Sequence, residues 1–448
     1  MKIWWARLKE LKRYPSAVLG LLIIMVFVCI SIYTVITIPY SQAIRLWRGG
    51  PGVWDENPKN AQPVWFDLFT KGNLPRTIVV RSQGQDGGVK RVEPLGEGRK
   101  RIEISLPFDY RYDGFPKELA LFLKASYEGQ KPRVSIIWRT PDGREITLQK
   151  GRRLKPSDTY YISQDGRLRL KFRGKSPEVG LFTDPAAGER VPLKGRYELV
   201  VAGEFEEGSD LEAKLVVYGQ VYGLAGTDHL RRDLMVALLW GAPLAFIFGI
   251  LGAVGAQVST FVLAGIGTWF GGKVDGLFQR ITEVNMILPM LPILMMIGMF
   301  YSRSIWLMLG LIILLSVFSA SMKTYRAMLL QAKELPYIEA ARAYGAGNFR
   351  IIFRYLLPRI VPTLLPQFIL VIPSFVFLEA SLAVVGLGDP VLPTWGKVIY
   401  DAREQGALYN GYYYWVVQPA ILLMLTGFGF ALVGFTLDRV FNPRLRTI

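Results

Sequence analysis

The sequence predicts an α-helical membrane bundle of six transmembrane helices, with a large β-rich domain inserted after the first helix. The chain has 448 residues, 51% of them hydrophobic, and several stretches long enough to cross a bilayer carry no charge. Residues 39–226 instead alternate charged, β-branched and aromatic residues between turn signals. We therefore expect a basic N-terminus at 1–16, a transmembrane helix at 17–38, a β-sandwich-like domain at 39–226 and a helical membrane core at 227–448.

Composition excludes several classes of function. The formal net charge is +17, and in a membrane protein an excess of Lys and Arg indicates cytoplasmic loops, so we expect no nucleic-acid partner. The only cysteine is Cys29 and the only histidine is His229, which rules out an intrachain disulfide and the usual zinc or iron site. The pattern G-x-x-x-x-G-K-[ST] does not occur. We expect no metal, no cofactor and no enzymatic activity, and any ATPase must be a separate chain.

The first apolar stretch, residues 17–38, has the length of one membrane span. A cleaved signal peptide is the competing interpretation, but the stretch is too long for a typical signal core and lacks a clear cleavage site. We expect a retained helix whose basic flank holds the N-terminus in the cytoplasm. The β-rich residues 39–226 then lie outside the cell membrane.

The β-rich region contains seven strand-like runs, and the turn formers Pro141-Asp142-Gly143 separate two of them. Short strands at this spacing predict a sandwich or a barrel-like domain. Such a domain is a platform for a substrate-binding protein, a cap over the pore, or a stabilising spacer. Trp54, Trp65 and Trp138 either stack on sugars or lie in the core or rim. The runs are 77–81, 101–106, 133–139, 145–148, 168–172, 197–202 and 211–218.

The membrane core contains the other five predicted spans. Residues 234–272 are uncharged, and we expect one crossing, because two would place the basic loop 323–359 outside. Pro289 and Pro292 predict a bent third helix. Glu379 either faces the substrate path or is a structural carboxylate that holds a glycine-rich bend. The remaining spans are expected at 284–300, 305–322, 360–385 and 412–437. The candidate residues of the substrate path are Glu379, Met290 and Met295.

The loop between the fourth and fifth spans reads as two short helices joined by a tight turn. Pro336 suits the first helical position, where its missing N–H costs nothing. Gly345 and Gly347 are expected to end the first helix, and Asn348 to cap the second. Pro358 and Pro362 are expected to mark the far end of the second helix. On these residues alone, the loop is either a docking surface for another protein or a solvated connector.

Several motifs resemble one known family. Glu339-Ala340-Ala341, Gly345 and Leu357-Pro358 resemble the EAA loop of ATP-binding-cassette (ABC) importer permeases, with Tyr355 where that pattern usually has Ile. Residues 226–233, GTDHLRRD, resemble the signature G-T-D-x-x-G-R-D of the dipeptide, oligopeptide and nickel branch, with Arg231 in place of glycine. Residues 378–388, 393–396 and 442–446 resemble further motifs of that branch.

The resemblance implies a type-1 ABC importer permease in a prokaryotic inner membrane, with both termini cytoplasmic. Its implied partners are a second homologous permease subunit, two ATP-binding-cassette ATPase subunits, an extracytoplasmic substrate-binding protein and membrane lipid. The implied cargo is a peptide or a similar small solute, such as nickel or an oligosaccharide, moved inward by alternating access. The residues that the resemblance assigns to ATPase coupling are Glu339, Ala340, Ala341, Arg342, Gly345, Leu357 and Pro358.

Two other classes of function remain open on the sequence. An ion-coupled secondary transporter usually places paired ionisable residues at mid-membrane, and apart from Glu379 the predicted spans have almost none. A membrane-anchored extracytoplasmic binding or scaffold protein needs only one helix, so five further spans argue against it.

Overall fold

The structure is a computed structural model that describes residues 13–70, 72–83, 87–96, 98–186 and 191–441. The chain divides into two compact units, a β-rich unit from Gly49 to Met235 and a helical unit made of the segments before and after it. Most of the predicted basic N-terminus, residues 1–12, and the family-like ending at 442–446 lie outside the described residues.

Helices dominate the two ends of the described chain, and strands dominate its middle. The helices are α1 (Pro15–Thr37), α2 (Tyr40–Arg48), α3 (Gly166–Lys171), α4 (Pro177–Phe182), α5 (Leu234–Phe270), α6 (Gly272–Ile287), α7 (Met290–Phe300), α8 (Ile305–Val317), α9 (Ala320–Lys333), α10 (Pro336–Ala343), α11 (Asn348–Arg350), α12 (Leu357–Leu382), α13 (Trp395–Glu404) and α14 (Tyr414–Phe441). The strands are β1 (Ile78–Arg81), β2 (Val89–Gly96), β3 (Arg99–Tyr110), β4 (Glu118–Ser126), β5 (Arg133–Arg139), β6 (Glu145–Arg153), β7 (Ser157–Tyr161), β8 (Gly195–Glu206) and β9 (Asp210–Tyr218). Short 3₁₀ turns occupy Val64–Phe69 and Ile162–Gln164, and π turns occupy Ile351–Leu356 and Ala383–Leu387.

The strands of the β-rich unit form two antiparallel sheets. One sheet has the order β1-β9-β4-β7 and the other has the order β2-β3-β8-β5-β6. Buried side chains from both sheets form one hydrophobic cluster between them, which makes the unit a β-sandwich. The alternation along β5 explains this packing, because Val134, Ile136 and Trp138 point inward while the arginines at its two ends do not.

Trp138 lies at the centre of this core. It is completely buried, and its ring centroid lies 5.7 Å from that of Phe108, 5.5 Å from that of Phe182 and 5.7 Å from that of Tyr197. Aromatic pairs at these separations are favourable beyond the area that they bury. Trp138 is therefore a core residue that is not available for stacking on sugars, whereas Trp65 is exposed and Trp54 is half-buried.

One strand predicted in this region is wrong. Residues 168–172 lie in the short helix α3 and just after it, not in a strand. The carboxylate of Asp165 accepts a hydrogen bond from the backbone N–H of Arg167 at 2.9 Å and caps the helix. Leu168 is buried while Leu170 is 82% exposed, so the alternation that suggests a strand arises here from a single helical turn.

The helical unit contains several apolar helices. Among the described residues, four helices are long and apolar enough to cross a membrane: Pro15–Thr37, Leu234–Phe270, Leu364–Leu387 and Tyr414–Phe441. Two further pairs, α6 with α7 and α8 with α9, pass the same test as bent pairs. Within the uncharged stretch 234–272, Leu234–Phe270 forms one continuous helix of 37 residues, in agreement with the single crossing expected there.

The third and fourth predicted spans are broken rather than continuous. The span expected at 284–300 bends by 79° between α6 and α7, and the one expected at 305–322 bends by 46° between α8 and α9. Leu288 before Pro289 is extended, as a residue before proline prefers. The side-chain amide of Asn285 donates to the carbonyl of Leu315 at 2.7 Å and to that of Phe318 at 2.9 Å, which satisfies carbonyls freed by the second break.

The first helix packs into the helical unit instead of standing alone. A Cβ atom on Gly20 would lie 2.7 Å from the carbonyl oxygen of Gly429, so α1 and α14 approach at backbone distance. Phe27 is buried, and its ring centroid lies 6.0 Å from that of Phe246 in α5. Cleavage of α1 as a signal peptide would remove these contacts.

We expect Trp138→Ala to lower the free energy of unfolding of the β-sandwich by about 3–5 kcal/mol, because it leaves a cavity in the aromatic core. Hydrogen exchange of β5 and β8 in the full chain measures this loss as a lower opening free energy. Leu170→Ala, at an exposed site of the same unit, is the control and should change that free energy by less than about 0.5 kcal/mol. Equal effects of the two variants would contradict the central position of Trp138.

Candidate functional site

The helix α10 lies at the centre of the candidate site, and its ends follow from its sequence. Pro336 occupies the first helical position and Glu339 lies in the first turn, where a carboxylate is favoured by the helix dipole. Gly345 has a φ of 74°, and its N–H donates to the carbonyl of Arg342 at 2.9 Å. The N–H of Ala346 donates to the carbonyl of Ala341 at 3.0 Å, which completes a Schellman motif. The predicted stop at Gly345 is confirmed.

Other local predictions in this loop are wrong. Gly347 is extended, with φ −64° and ψ 156°, so Gly345 alone supplies the left-handed conformation. Asn348 is the first residue of α11 and does not cap it, because its side-chain oxygen accepts from the indole N–H of Trp269 instead. Pro358 and Pro362 lie inside the helical stretch that continues through the π turn into α12. Pro358 is tolerated there because it occupies the first turn of α12.

Trp269, near the end of α5, holds the candidate coupling loop in place. The ring of Trp269 lies under the Arg342 guanidinium, 4.5 Å from its carbon to the ring centroid. The indole N–H donates to the side-chain oxygen of Asn348 at 3.1 Å. The Lys333 ammonium donates to the carbonyls of Thr268 and Trp269 at 2.9 and 3.1 Å, which satisfies the negative end of the α5 dipole.

Burial divides the seven predicted coupling residues into two groups. Ala341 and Leu357 are buried in a hydrophobic cluster with Ile338, Ile352 and Leu356, so they fasten the loop to the helices beneath it. The other five are exposed: Glu339, Ala340, Arg342, Gly345 and Pro358. The sequence motif therefore combines anchoring residues with surface residues.

Aromatic side chains stand exposed beside α10. Tyr344 is 92% exposed, and Phe349 and Phe353 also present their rings to solvent. We call the set Glu339, Ala340, Tyr344, Phe349 and Phe353 the coupling surface. Exposed aromatic residues on a firmly held backbone are typical of protein-protein contacts, since large rigid rings bury area at little entropic cost.

Sequence reasoning missed Trp269, Lys333 and Arg326 as parts of this site. Arg326 in α9 donates three hydrogen bonds to the Asp275 carboxylate in α6: Nε to Oδ1 at 2.7 Å, Nε to Oδ2 at 3.0 Å and Nη2 to Oδ2 at 2.5 Å. The one sequence signal for these contacts was Trp269, near the end of an uncharged run and shortly before Gly271-Gly272. That signal predicts an interfacial anchor but does not identify the residues that contact it.

Glu379 is buried in α12 and lies beside the motif Pro393-Thr394-Trp395-Gly396. Its carboxyl group forms a hydrogen bond with the side chain of Thr394, which also caps α13 by accepting from the N–H of Lys397 at 3.1 Å. Trp395 donates to the carbonyl of Leu238 at 2.9 Å, and a Cβ atom on Gly396 would lie 2.7 Å from Ala380. These contacts favour the structural interpretation of Glu379.

The two candidate methionines differ in their surroundings. Met290 lines a cavity of about 190 Å³ between the two broken helix pairs, together with Asn285 and Leu315. Met295 is exposed on α7 and does not line that cavity. The structure therefore does not bring Met290, Met295 and Glu379 together at one site.

The turn at 226–233 explains why an arginine replaces the signature glycine. Arg231 has a φ of 65°, the left-handed conformation that glycine adopts freely. Its guanidinium is buried, donates to the Asn57 carbonyl at 2.7 Å, pairs with the Glu118 carboxylate, and lies 4.0 Å from the ring centroid of Tyr218. These contacts offset the strain of the backbone.

The same turn begins α5. The carboxylate of Asp233 accepts from the backbone N–H of Met235 at 2.8 Å and caps the helix, while burial raises the pKa of Asp233. Asp228 is completely buried, and its carboxylate accepts from the backbone N–H of Arg232 at 2.8 Å. His229 is half-buried in the same turn.

Comparison with known proteins agrees with these motifs. The family described as "Binding-protein-dependent transport system inner membrane component" matches residues 258–447. The dipeptide transport system permease protein DppC of Bacillus subtilis is 27% identical over 299 residues, which cover 65% of this chain and 88% of that protein. The oligopeptide permease OppC of the same organism is 28% identical over 223 residues (49% and 72%), and the glutathione permease GsiD of Pectobacterium atrosepticum is 28% identical over 226 (50% and 73%).

Apolar helices, a firmly held exposed helical turn and these similarities define the class of the protein. The chain is a membrane permease subunit of an ABC importer. Residues 258–447 are similar to the family of binding-protein-dependent transport system inner membrane components. That family implies ATPase and substrate-binding-protein partners, and neither of the two alternative classes is supported by these similarities.

We expect Arg231→Ala to destabilise the β-rich unit by about 3–5 kcal/mol, because it leaves the Glu118 carboxylate without its buried partner. Arg231→Gly relieves the backbone strain and should cost less than Arg231→Ala. Adding Glu118→Gln to Arg231→Gly should recover part of the loss. Hydrogen exchange of β4 and β9 in the full chain provides the measurement, and equal destabilisation by the Ala and Gly variants would contradict the role of the left-handed backbone.

Proposed function

We propose that the chain crosses the membrane six times, with one span within each bent helix pair and both termini in the cytoplasm. Charge supports this orientation. The loop 323–359 is rich in Lys and Arg and contains the coupling surface, which assigns it to the cytoplasmic side by the positive-inside rule. An odd number of crossings separates that loop from the β-sandwich, which therefore lies outside.

The coupling surface is the proposed docking site of an ATPase subunit. The observation that carries this proposal is the near-complete exposure of Tyr344 on a turn anchored from below by Trp269. A helix that transmits movement must be exposed to the ATPase that moves it and rigidly joined to the membrane helices that it moves. The Schellman turn at Gly345 and the buried Ala341 supply this stiffness.

Movement of α10 and the turn at Gly345 reaches the membrane helices through two connections. Trp269 joins the loop to α5, and Ile351, Ile352 and Leu356 join it to the start of α12. The two helix breaks that Asn285 joins are the proposed hinges. Proline bends the helix at the first break, and the second is an interruption at Phe318 and Ser319 whose free carbonyls Asn285 satisfies. Closure of the ATPases then shifts the equilibrium between inward- and outward-facing states, provided that they bind the two states differently.

The proposed cargo is a peptide or a chemically similar small solute, delivered by an extracytoplasmic binding protein. The support is the agreement among relatives, since three of the similar permeases carry dipeptide, oligopeptide or glutathione in their names. We further propose a second homologous permease subunit and two ATPase subunits in the complete transporter.

We expect Glu339→Arg to reduce transport by at least about tenfold with normal membrane insertion, because a central interface contact contributes about 2 kcal/mol or more. ATP-dependent uptake of a labelled peptide into vesicles that contain the assembled transporter measures this effect. Glu334→Arg is the matched control, since it reverses an exposed charge in the same loop outside the coupling surface. Normal uptake by Glu339→Arg would refute the docking assignment.

A second pair of variants tests the backbone of the turn. Gly345→Pro cannot reach a φ of 74° and should abolish transport, whereas Gly345→Asn tolerates this conformation and should retain most of it. The same uptake assay applies, with the amount of inserted chain as the reference. Similar uptake by the two variants would show that the left-handed turn is not required.

A further inference from the structure

The 3₁₀ turn Val64–Phe69 exposes large apolar side chains. Leu68 is 83% exposed and Phe69 is 77% exposed, and the ring of Trp65 is also at the surface. Leu224, on a neighbouring loop, is 69% exposed. We call the set Trp65, Leu68, Phe69 and Leu224 the apolar foot. Several large apolar side chains exposed together indicate a contact surface rather than scattered surface residues.

Hydrogen bonds hold the apolar foot together. The indole N–H of Trp65 donates to the carbonyl of Leu224 at 2.9 Å, and the N–H of Val64 donates to the carbonyl of Gly223 at 2.9 Å. The ring centroids of Trp65 and Phe69 lie 6.3 Å apart in an edge-to-face arrangement. The polar N–H of Trp65 is therefore satisfied within the protein, and the exposed ring presents mainly apolar surface.

The charged residue of the turn is directed toward the protein. The carboxylate of Asp67 accepts from the backbone N–H of Leu74 at 3.3 Å and lies 3.9 Å from the guanidinium of Arg76. Its neighbours Leu68 and Phe69 point away from the protein. This is the reverse of the arrangement in a turn that faces water, where apolar side chains are covered and charges are exposed.

The apolar foot lies close to the start of a membrane helix. The N–H of Leu234, the first residue of α5, donates to the carbonyl of Gly226 at 3.1 Å. Leu224 precedes Gly226 by two residues, so its Cα lies within about 14 Å of that of Leu234. Thr227 fixes the connecting turn, since its hydroxyl accepts from Ala61 at 2.9 Å and donates to Pro58 at 2.6 Å.

We propose that the apolar foot inserts into the lipid interface of the bilayer that α5 crosses. Trp and other amphipathic rings concentrate at this interface, where one end of the ring meets lipid and the other meets water. Because the apolar foot lies close to the first turn of α5, lipid is favoured over a protein partner as the surface that it contacts. The proposal depends only on α5 as a membrane span, not on the identity of the cargo or on ATPase coupling.

Site-specific fluorescence tests the proposal in the full chain. Cys29 is the single cysteine, so Cys29→Ser provides a background without thiols. Leu68→Cys, labelled with an environment-sensitive fluorophore, reports on the foot with little risk to folding because Leu68 is so exposed. Phe69→Cys is a second reporter. Val92→Cys is the matched control, since Val92 is an exposed apolar residue on β2 of the same unit.

The assembled transporter is placed in vesicles of phosphatidylcholine and phosphatidylglycerol, and each label is exposed to two quenchers. A nitroxide near the top of the lipid acyl chain reports contact with lipid, and aqueous iodide reports contact with water. We expect lipid nitroxide to quench the labels at 68 and 69 at least about twofold more than the label at 92, and iodide to show the opposite order, because apolar side chains in the interface are shielded from water.

Two results would overturn the proposal. Labels at 68 and 92 that respond equally to iodide would place the foot in water. A label at 68 shielded from both quenchers would show that protein covers the foot, and the sister permease or the binding protein would then be its occupant. Loss of ATP-dependent uptake in the labelled variants would affect neither conclusion, since quenching reports position and not transport.

Discussion

The contact between Trp269 and its three polar neighbours is the constraint on which the candidate coupling site depends. Lys333 satisfies the last carbonyls of α5, Arg342 covers the indole ring, and Asn348 accepts its N–H. One side chain thus joins the end of a membrane helix to both sides of the turn at Gly345. Without Trp269, the exposed residues of the turn would lie on a flexible loop. A displacement imposed by a partner would then deform the loop instead of moving the membrane helices.

Local chemistry explains which features could be predicted from sequence. The stop at Gly345 was predictable because a left-handed cap has a strong residue preference, and the long apolar helices were predictable because their lack of charge is unambiguous. The strand predicted at 168–172 was wrong because two alternating leucines fit one helical turn as well as a strand. The bend at Pro289 was predictable because proline interrupts a helix. The break before Ser319 was missed because no proline marks it, and its free carbonyls are satisfied by Asn285, a residue from another helix.

The sequence predicted which segment of the chain forms the candidate site, but not which of its residues are buried and which are exposed. The EAA-like residues mark the correct loop, but the motif does not separate Ala341 and Leu357, which are buried, from Glu339 and Ala340, which are exposed. For the residues of α10, that division depends on which face of the helix meets the helices below; Leu357 is buried separately, at the start of α12. The partners of Trp269 come from residues more than sixty positions away in the chain, a distance at which neither periodicity nor capping rules carry information.

Arg231 has a consequence for how this permease relates to shorter ones. Its left-handed backbone is tolerated because Glu118 in β4 and Tyr218 in β9 hold its side chain, and both of these residues belong to the inserted domain. The arginine and the domain are therefore interdependent. A chain trimmed of its β-sandwich would retain a strained, unpartnered cation beside the first membrane helix of the core, so the domain can be removed cleanly only if glycine is restored at position 231.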